Sequence, residues 1–375
     1  MAEHAAKRLK GDVTIGTHNG HFHADEALAV HMLRRHVPTY AGAGLVRTRD
    51  PAVLATCHTV VDVGGEYDAA ARRFDHHQRT FATTFPGRPT KLSSAGLVFM
   101  HFGREMIARR LGRAPPAPAE AAAAAAAPDA QVELLYRKLY ESFVEALDAH
   151  DNGISVYDPA AVAAAGLERR FSEGGFTLGA LVGRLNPNWN DAAPADPAAA
   201  QAAEDARFEL ASARIGEEFD RDLDYYVGAW LPARAVVEAA FAKRREHDAQ
   251  GRILVFEGTS CPWKDHLYTL EEEEAAAAAA AGTEGAAAAA RVLYVLYPES
   301  TAPGAKWRVQ CVPAARDSFE SRQPLPEAWR GVRDEKLDEI LGAPPGAVFV
   351  HAAGFIGGHK TFEGAMHMAT TALGS

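Results

Sequence analysis

The stretch "DVTIGTHNGHFHADEALAVHMLRRH", Asp12 to His36, decides the fold. Its opening "DVTIGT" is a short β-branched run that reads as a buried strand, and a histidine-rich loop follows it directly. From Ala24 the positions Leu28, Met32 and His36 recur every four residues, so a helix begins there with Asp25 and Glu26 in its first turn. Carboxylates suit that place, because the helix macrodipole puts partial positive charge at the N-terminus.

Downstream the pattern repeats. "TVVDVGGEYD" supplies a strand, Thr59 to Val63, that ends in Asp62 and a Gly-Gly turn. "RRFDHHQRT" holds Asp75, His76 and His77, and "KLSSAGLVFMHFGREMIARRLG" reads as a helix capped by Ser93 or Ser94 and stopped by Gly112. A periodic helix from Val132 through Leu147 runs into "LDAHDNG", where Asp148 and Asp151 sit three apart on one face. Strands alternating with helices over the first 150 residues imply a parallel sheet, and the second half reads as α+β. There, "RILVFE" is strand-like, "RVLYVLYP" and "WRVQCVP" read as a hairpin pair, "RGVRDEKLDEILG" as a helix, and "AVFVHAAGFIGGHKTFEGAMHMA" as a strand, glycine turn and final helix.

A chain of 375 residues exceeds what one hydrophobic core usually supports. Two domains are expected, residues 11–230 and 231–375, with an Ala/Pro-rich surface insertion near 113–130 and an Ala-rich one near 271–290. A net charge of -10 and a pI near 5.9 argue against a protein that coats nucleic acid by bulk electrostatics, although a local basic groove fits. Cys57, Cys261 and Cys311 follow no zinc spacing and suit a reducing compartment. No apolar run reaches the roughly 18 residues of a membrane span, and "MAEHAAKRLK" is too short and too mixed in charge for a transit peptide. A soluble intracellular protein is expected.

The histidines ask for a metal. Hard or borderline divalent ions are bound by carboxylates and imidazoles, and a two-metal site needs at least one bridging carboxylate. His18, His23, Asp25, Asp62, Asp75, His76, His77 and Asp148 or Asp151 all fall at the ends of predicted elements or in the loops after them. In an open parallel sheet the carboxyl ends of adjacent strands form one crevice, so these residues converge. His21, His31 and His36 read instead as solvated or core-edge residues.

The ordered set H-x4-H-x-D, strand-end Asp, D-H-H and helix-end Asp resembles the DHH phosphoesterase superfamily. More closely, "IGTHNGHFHADEALA", "DVGGEYD", "RFDHHQR", "SSAGLVF", "DNGI", "RLNPNWN", "PLPEAWRGVRDE" and "FVHAAGFIGGHKT" together resemble the melanocyte proliferating gene family of metal-dependent 3′–5′ exoribonucleases. The resemblance implies an N-terminal parallel-sheet DHH domain that holds the metals and a C-terminal α+β substrate-binding domain. It implies His18, His23, Asp25, bridging Asp62, His76 and Asp148, with Asp151 as alternate, as ligands of two Mn²⁺ or Mg²⁺ ions. It places Asp75 behind the site, holding or supplementing it, and His77 either at the transferring phosphate or just behind it. The wider superfamily usually has Asp where this chain has His23. Nucleus and mitochondrion are the compartments the family suggests, and the cytoplasm is also compatible.

"GFIGGHKT" resembles the superfamily's substrate-binding glycine motif, in which Gly357 and Gly358 let backbone N–H groups approach a phosphate and His359 and Lys360 add charge. Arg330 and Arg333, three apart on one expected helix face, are candidates to grip phosphates, as is Arg184, with Trp189 beside it either as a base-stacking surface or in the core. The expected activity is phosphodiester hydrolysis by two-metal in-line attack on RNA or single-stranded oligonucleotides. Competing expectations are a small-molecule phosphohydrolase acting on pyrophosphate or a cyclic dinucleotide, and a non-catalytic nucleic-acid-binding relative.

Overall fold

The computed structural model describes residues 13–113, 129–168, 170–172, 174–192, 194–258, 260–281, 291–342 and 344–374. "MAEHAAKRLK", nearly all of the expected 113–130 insertion and residues 282–290 of the second one lie outside the described residues. The described chain is α/β with two five-stranded mixed sheets, in two compact units that divide between Val227 and Gly228. The expectation had set that division between residues 230 and 231.

In the first unit β1 (Thr14–Thr17) leads through the histidine loop into α1 (Ala24–His36), then β2 (Gly44–Arg47), α2 (Pro51–Leu54), β3 (Thr59–Val61), β4 (Tyr67–Asp68) and β5 (Arg73–Phe74). Helices α3 (Ser94–Arg110), α4 (Ala130–Leu139), α5 (Glu145–Asp151), α6 (Pro159–Ala164), α7 (Leu178–Gly183) and α8 (Pro197–Tyr225) follow, with a π-helical turn, Tyr140–Val144, joining α4 to α5. The sheet order is β2-β1-β3-β5-β4. Every pairing is parallel except β4 with β5, so the expected parallel sheet carries one antiparallel edge. Because β1, β3 and β5 are adjacent and parallel, their carboxyl ends lie along one edge, and His18, Asp62 and Asp75 are the residues immediately after them.

The third strand stops at Val61, two residues short of the expected end. Asp62 leaves the extended conformation with φ 58°, and Gly64 and Gly65 follow at φ 101° and 68°. A left-handed Asp at a sheet edge is costly, and such strain is typical of residues whose side chain must be aimed. Helix α1 is buried over most of its length, packed against α3 and α8.

The second unit holds α9 (Leu231–His247), β6 (Ile253–Val255), α10 (Lys264–Ala280), β7 (Tyr294–Pro298), β8 (Trp307–Cys311), α11 (Asp334–Leu341), β9 (Ala347–Val350), β10 (Ile356–His359) and α12 (Phe362–Ala372). The order is β6-β7-β8-β10-β9, parallel only between β6 and β7, and β7 and β8 form the expected antiparallel pair. Alternate residues divide the core between two faces. Leu254 and Val295 pack with Val237 and Leu267 of α9 and α10, whereas Ile253, Val255, Tyr294 and Leu296 pack with Leu337 and Met368 of α11 and α12.

Three expectations fail here. Glu271–Ala280 is not a loose insertion but the end of α10, where alanine has the highest helix propensity and Glu271 and Glu274 pair with Arg322 and Arg244. The glycine turn is a strand: Gly357 and Gly358 lie within β10 between β8 and β9, and the turn is made upstream at Gly354, φ 71°. Arg330 and Arg333 share no helix face, because Gly331 at φ 77° separates them and α11 begins after Arg333.

Candidate metal centre

His18 follows β1 with its ring buried, and its Nε2 lies 3.2 Å from Glu26 Oε1 and 3.3 Å from Asp62 Oδ2. His23 occupies the N-cap of α1, where its backbone N–H donates to Glu26 Oε1 at 2.8 Å. His18, His23, Glu26 and Asp62 each offer one ligand atom within 4.8 Å of the others. The loop that carries the two histidines is fixed from behind by Asn186, whose side chain accepts from the Phe22 N–H and donates to the Phe22 carbonyl.

A second group shares the other side of Asp62. Its Oδ1 lies 3.2 Å from His76 Nε2, and that nitrogen lies 3.2 Å from Asp151 Oδ2 and 3.9 Å from Asp25 Oδ2. Asp25, His76 and Asp151 form one set of converging ligand atoms, and Asp62, His76 and His77 another. The two oxygens of Asp62 therefore address different clusters. Asp25 Oδ1 and Glu26 Oε2 are buried without a hydrogen-bond partner, and the approach of Asp62 Oδ1 to His76 Nε2 is not directed as a hydrogen bond. Buried carboxylate oxygens left in this state are what a divalent cation would satisfy, so the donor set fits oxygen- and imidazole-ligated metal.

The electrostatics agree. Burial, only partly offset by His18, pushes the Glu26 carboxyl up to about 8, and burial with the Asp25 charge pushes Asp151 up to about 8. Burial also raises Asp25, with Asp62 adding to it. Burial would lower the histidines, but the Asp62 and Glu26 carboxylates raise His18 to about 10, and Asp62 with Asp25 raises His76 to about 9. Against its own burial, Asp62 is held below the usual carboxylate range by His18 and His76. The site thus gathers protons among crowded carboxylates, and a bound metal ion would replace them.

Asp75 shapes the loop. Its Oδ1 accepts from the His76 and His77 N–H groups and from His77 Nδ1 at 2.7 Å, and its Oδ2 accepts from Gly65 N–H. His77 is the exposed member, its side chain 63% accessible, and the bond to Asp75 raises its pKa. A cleft of about 980 Å³ opens over these groups, and Arg49 and Lys91 bring cationic side chains to its wall beside the His150 imidazole.

Of the two candidates for the last ligand, Asp151 and not Asp148 joins the converging side chains. Asp148 belongs to none of the ligand sets; its Oδ1 accepts from Ser93 N–H at 3.0 Å, Ser93 Oγ at 2.7 Å and Gly96 N–H at 3.1 Å, and its Oδ2 accepts from Tyr140. It caps α3 from a neighbouring helix, which Ser93 does not do for itself. Asp151, one turn later and at the helix end, reaches His76. Glu26 was missed as a candidate because its place in the first turn already accounted for its charge. Ser94, which donates to Asp25 at 2.7 Å, was visible only as a possible cap.

Elsewhere in the first unit, Arg184 donates to the Gly175 carbonyl, and Trp189 is 97% exposed, which removes the core reading. In the second unit His359 is buried and bonded to Thr361 N–H, with its Nε2 3.2 Å from the Pro344 carbonyl, while Lys360 is exposed. Arg330 donates to the Leu325 carbonyl. A residue absent from the expectations stands beside the glycines: a β-carbon at Gly358 would meet the Arg308 guanidinium at 2.2 Å. Arg308 and Arg333 lie 4.8 and 5.6 Å from the Phe349 ring centre, and Arg308 Nη1 is buried without a partner.

A family model for MYG1 exonucleases, described as an uncharacterised protein family (UPF0160), matches residues 14–373. The chain belongs to the MYG1 exonuclease family. It is 46% identical to the MYG1 exonuclease of Mus musculus over 99% of this chain and 88% of that one, and 45% identical to that of Homo sapiens over 98% and 87%. The MYG1 protein of Saccharomyces cerevisiae is 40% identical over 96% and 95%. A crystal structure of the exonuclease RecJ bound to manganese, 15% identical over 99% of this chain and 94% of that chain, has a TM-score of 0.22, too low to bear on the architecture. Within the MYG1 family match lie all the residues of the centre described above and the glycine strand of the second unit. Among the described residues no helix is long and apolar enough to cross a membrane.

Proposed function

We propose that this chain is a divalent-metal-dependent phosphodiesterase that removes nucleotides from the 3′ end of RNA. The observation that carries the reading is Asp62, held after β3 with one oxygen toward His18 and the other toward His76. His18, His23, Glu26 and Asp62 would hold one ion, and Asp25, His76, Asp151 and Asp62 the other. Two such ions, when bound, lower the pKa of water and neutralise charge on the phosphate.

The protein's own part is to bind and aim. Asp75 orients His77 through Nδ1, which leaves Nε2 free to donate to a phosphate oxygen when the ring is protonated. Lys91 and Arg49 on the cleft wall draw the anionic backbone into a site otherwise rich in carboxylates. The second unit would bind single-stranded RNA through Arg308 and Arg333 on Phe349, with Lys360 nearby in sequence and Gly358 giving the Arg308 guanidinium its space. In this role the glycines make room for a side chain, where the sequence had suggested a backbone cradle.

The family membership supports an exonuclease over the pyrophosphate and cyclic-dinucleotide readings. The test incubates the full chain with Mn²⁺ or Mg²⁺ and 5′-labelled RNA, 3′-labelled RNA, DNA of the same sequence, pyrophosphate and a cyclic dinucleotide. A ladder of shortened 5′-labelled RNA with mononucleotide released from the 3′ label is expected. Turnover of pyrophosphate or cyclic dinucleotide alone would overturn the proposal.

A further inference from the structure

At the far end of α1 from Asp25 and Glu26, two imidazoles converge on one carboxylate. His31 Nε2 lies 3.2 Å from both oxygens of Asp220 on α8, and His36 Nε2 lies 2.6 Å from Asp220 Oδ1. The rings are positioned by packing. A β-carbon at Gly216 would fall 2.0 Å from His31 Nδ1, so α8 is notched at that residue to admit the ring, and His36 stands edge-on to Phe219 with centroids 5.8 Å apart. Gly216, Phe219 and Asp220 occupy a single turn, so one face of α8 supplies the notch, the ring support and the carboxylate.

We propose that His31, His36 and Asp220 form a second metal site, separate from the catalytic centre, that takes Zn²⁺. Two imidazole nitrogens and one carboxylate oxygen are zinc donors, and a tetrahedron with bonds of about 2.0–2.1 Å separates its ligands by roughly 3.3 Å, a spacing that His31 and Asp220 already have at 3.2 Å and to which His36, at 2.6 Å, would open. The set lacks the excess of oxygen donors that favours Mn²⁺ or Mg²⁺. The three side chains are 14% to 29% accessible, so the ligands are largely shielded yet reachable, and a cleft of about 620 Å³ bordering His36 and Asp220 leaves a fourth position for water.

The arginines around that cleft do not forbid a cation. Arg34 pairs with Glu209, Arg109 with Glu105 and Arg110 with Asp224, which leaves Arg35 as the one lining arginine without an ion pair among the described residues. The carboxyl of Asp220, despite burial, is held low by the two histidines and is ready to ligate without losing a proton. A bound ion would tie the end of α1 to α8, and α1 carries Asp25 and Glu26 roughly 8–16 Å away along its axis.

The experiment compares Zn²⁺ uptake by the full chain, stripped with chelator and dialysed against Zn²⁺, in the Asp62→Asn background with and without His36→Gln. Because both proteins carry the same change at the catalytic centre, their difference reads the second site. We expect His36→Gln to remove one equivalent of Zn²⁺ and to abolish the part of the Zn²⁺-induced rise in Tm that Asp62→Asn leaves. Asp220→Asn, isosteric and at a different position, is expected to remove the same equivalent, which covers the case in which the His36 variant folds poorly. Equal zinc content and equal Tm response in all three proteins would overturn the proposal and leave a carboxylate that only accepts two imidazole hydrogen bonds.

Discussion

The Asp148 carboxylate sits over Gly96 so closely that a β-carbon there would lie 2.3 Å from its Oδ2. Gly96→Ala must therefore displace a buried carboxylate that caps α3 through Ser93 and Gly96. We expect a loss of about 2 kcal/mol or more in urea unfolding, from overpacking and a lost cap together. A loss under about 0.5 kcal/mol would show that the helix start yields freely.

Asp148 and Asp151 separate structure from chemistry. Asp151→Asn is expected to lower metal-dependent turnover by roughly 100-fold or more, since even groups behind metal ligands cost about 10–100-fold. Asp148→Asn, which keeps the acceptor oxygen for Ser93 and Gly96, should stay within about tenfold of wild type. Steady-state rates with Mn²⁺ check both, and the reverse ranking would restore Asp148 as the ligand.

Burial lifts the Asp148 carboxyl to about 7 against the opposing bonds from Ser93. A carboxyl whose folded-state pKa is raised favours the fold while protonated. That contribution is complete below the unfolded value near 4 and is lost as pH rises through about 7. Relative to wild type, Asp148→Asn should gain stability as pH goes from 4 to 7, by at most about 4 kcal/mol. Denaturation at a series of pH values measures it, and a parallel pair of curves would contradict it.

The contrast among these acids explains what the sequence could carry. His18, Asp62 and Asp75 were legible because each directly follows a short strand, with His76 one residue further on, and parallel strands bring such ends to one edge. Glu26 was not, since a carboxylate in a first helical turn has an ordinary explanation. Asp148 and Asp151 share a face by spacing, and only the packing of α3 against α5 decides which one meets His76. In the second unit, Gly357 and Gly358 suggested a turn because glycine is poor in strands, but their conformation follows from neighbours on both sides and from the bulk of Arg308. His31 and His36 were read as core-edge residues, and nothing local announces Asp220, which lies on a helix far along the chain.

Metal should stabilise the first unit by mass action. Mn²⁺ at 100 times its Kd is expected to add about 2.7 kcal/mol, seen as a rise in Tm over the chelated protein. In Asp62→Asn the rise should largely vanish, because the amide turns a nitrogen to one of the two ligand sets and the carboxylate charge that faces both is lost. An undiminished rise in that variant would place the ions elsewhere.

Arg308 offers a test of the second unit. Arg308→Ala should raise KM for an oligonucleotide roughly tenfold while leaving kcat within a factor of three, and leave hydrolysis of a small phosphodiester unchanged. A fall in kcat on both substrates would mean that the arginine acts through the fold.

The most direct measurement of the central claim is Mn²⁺-dependent shortening of 5′-labelled single-stranded RNA by wild type beside Asp62→Ala, His76→Ala and Asp148→Asn. The account predicts a 3′-shortened ladder from wild type and Asp148→Asn, and none from Asp62→Ala or His76→Ala. A full ladder from Asp62→Ala would contradict a centre built on that shared carboxylate.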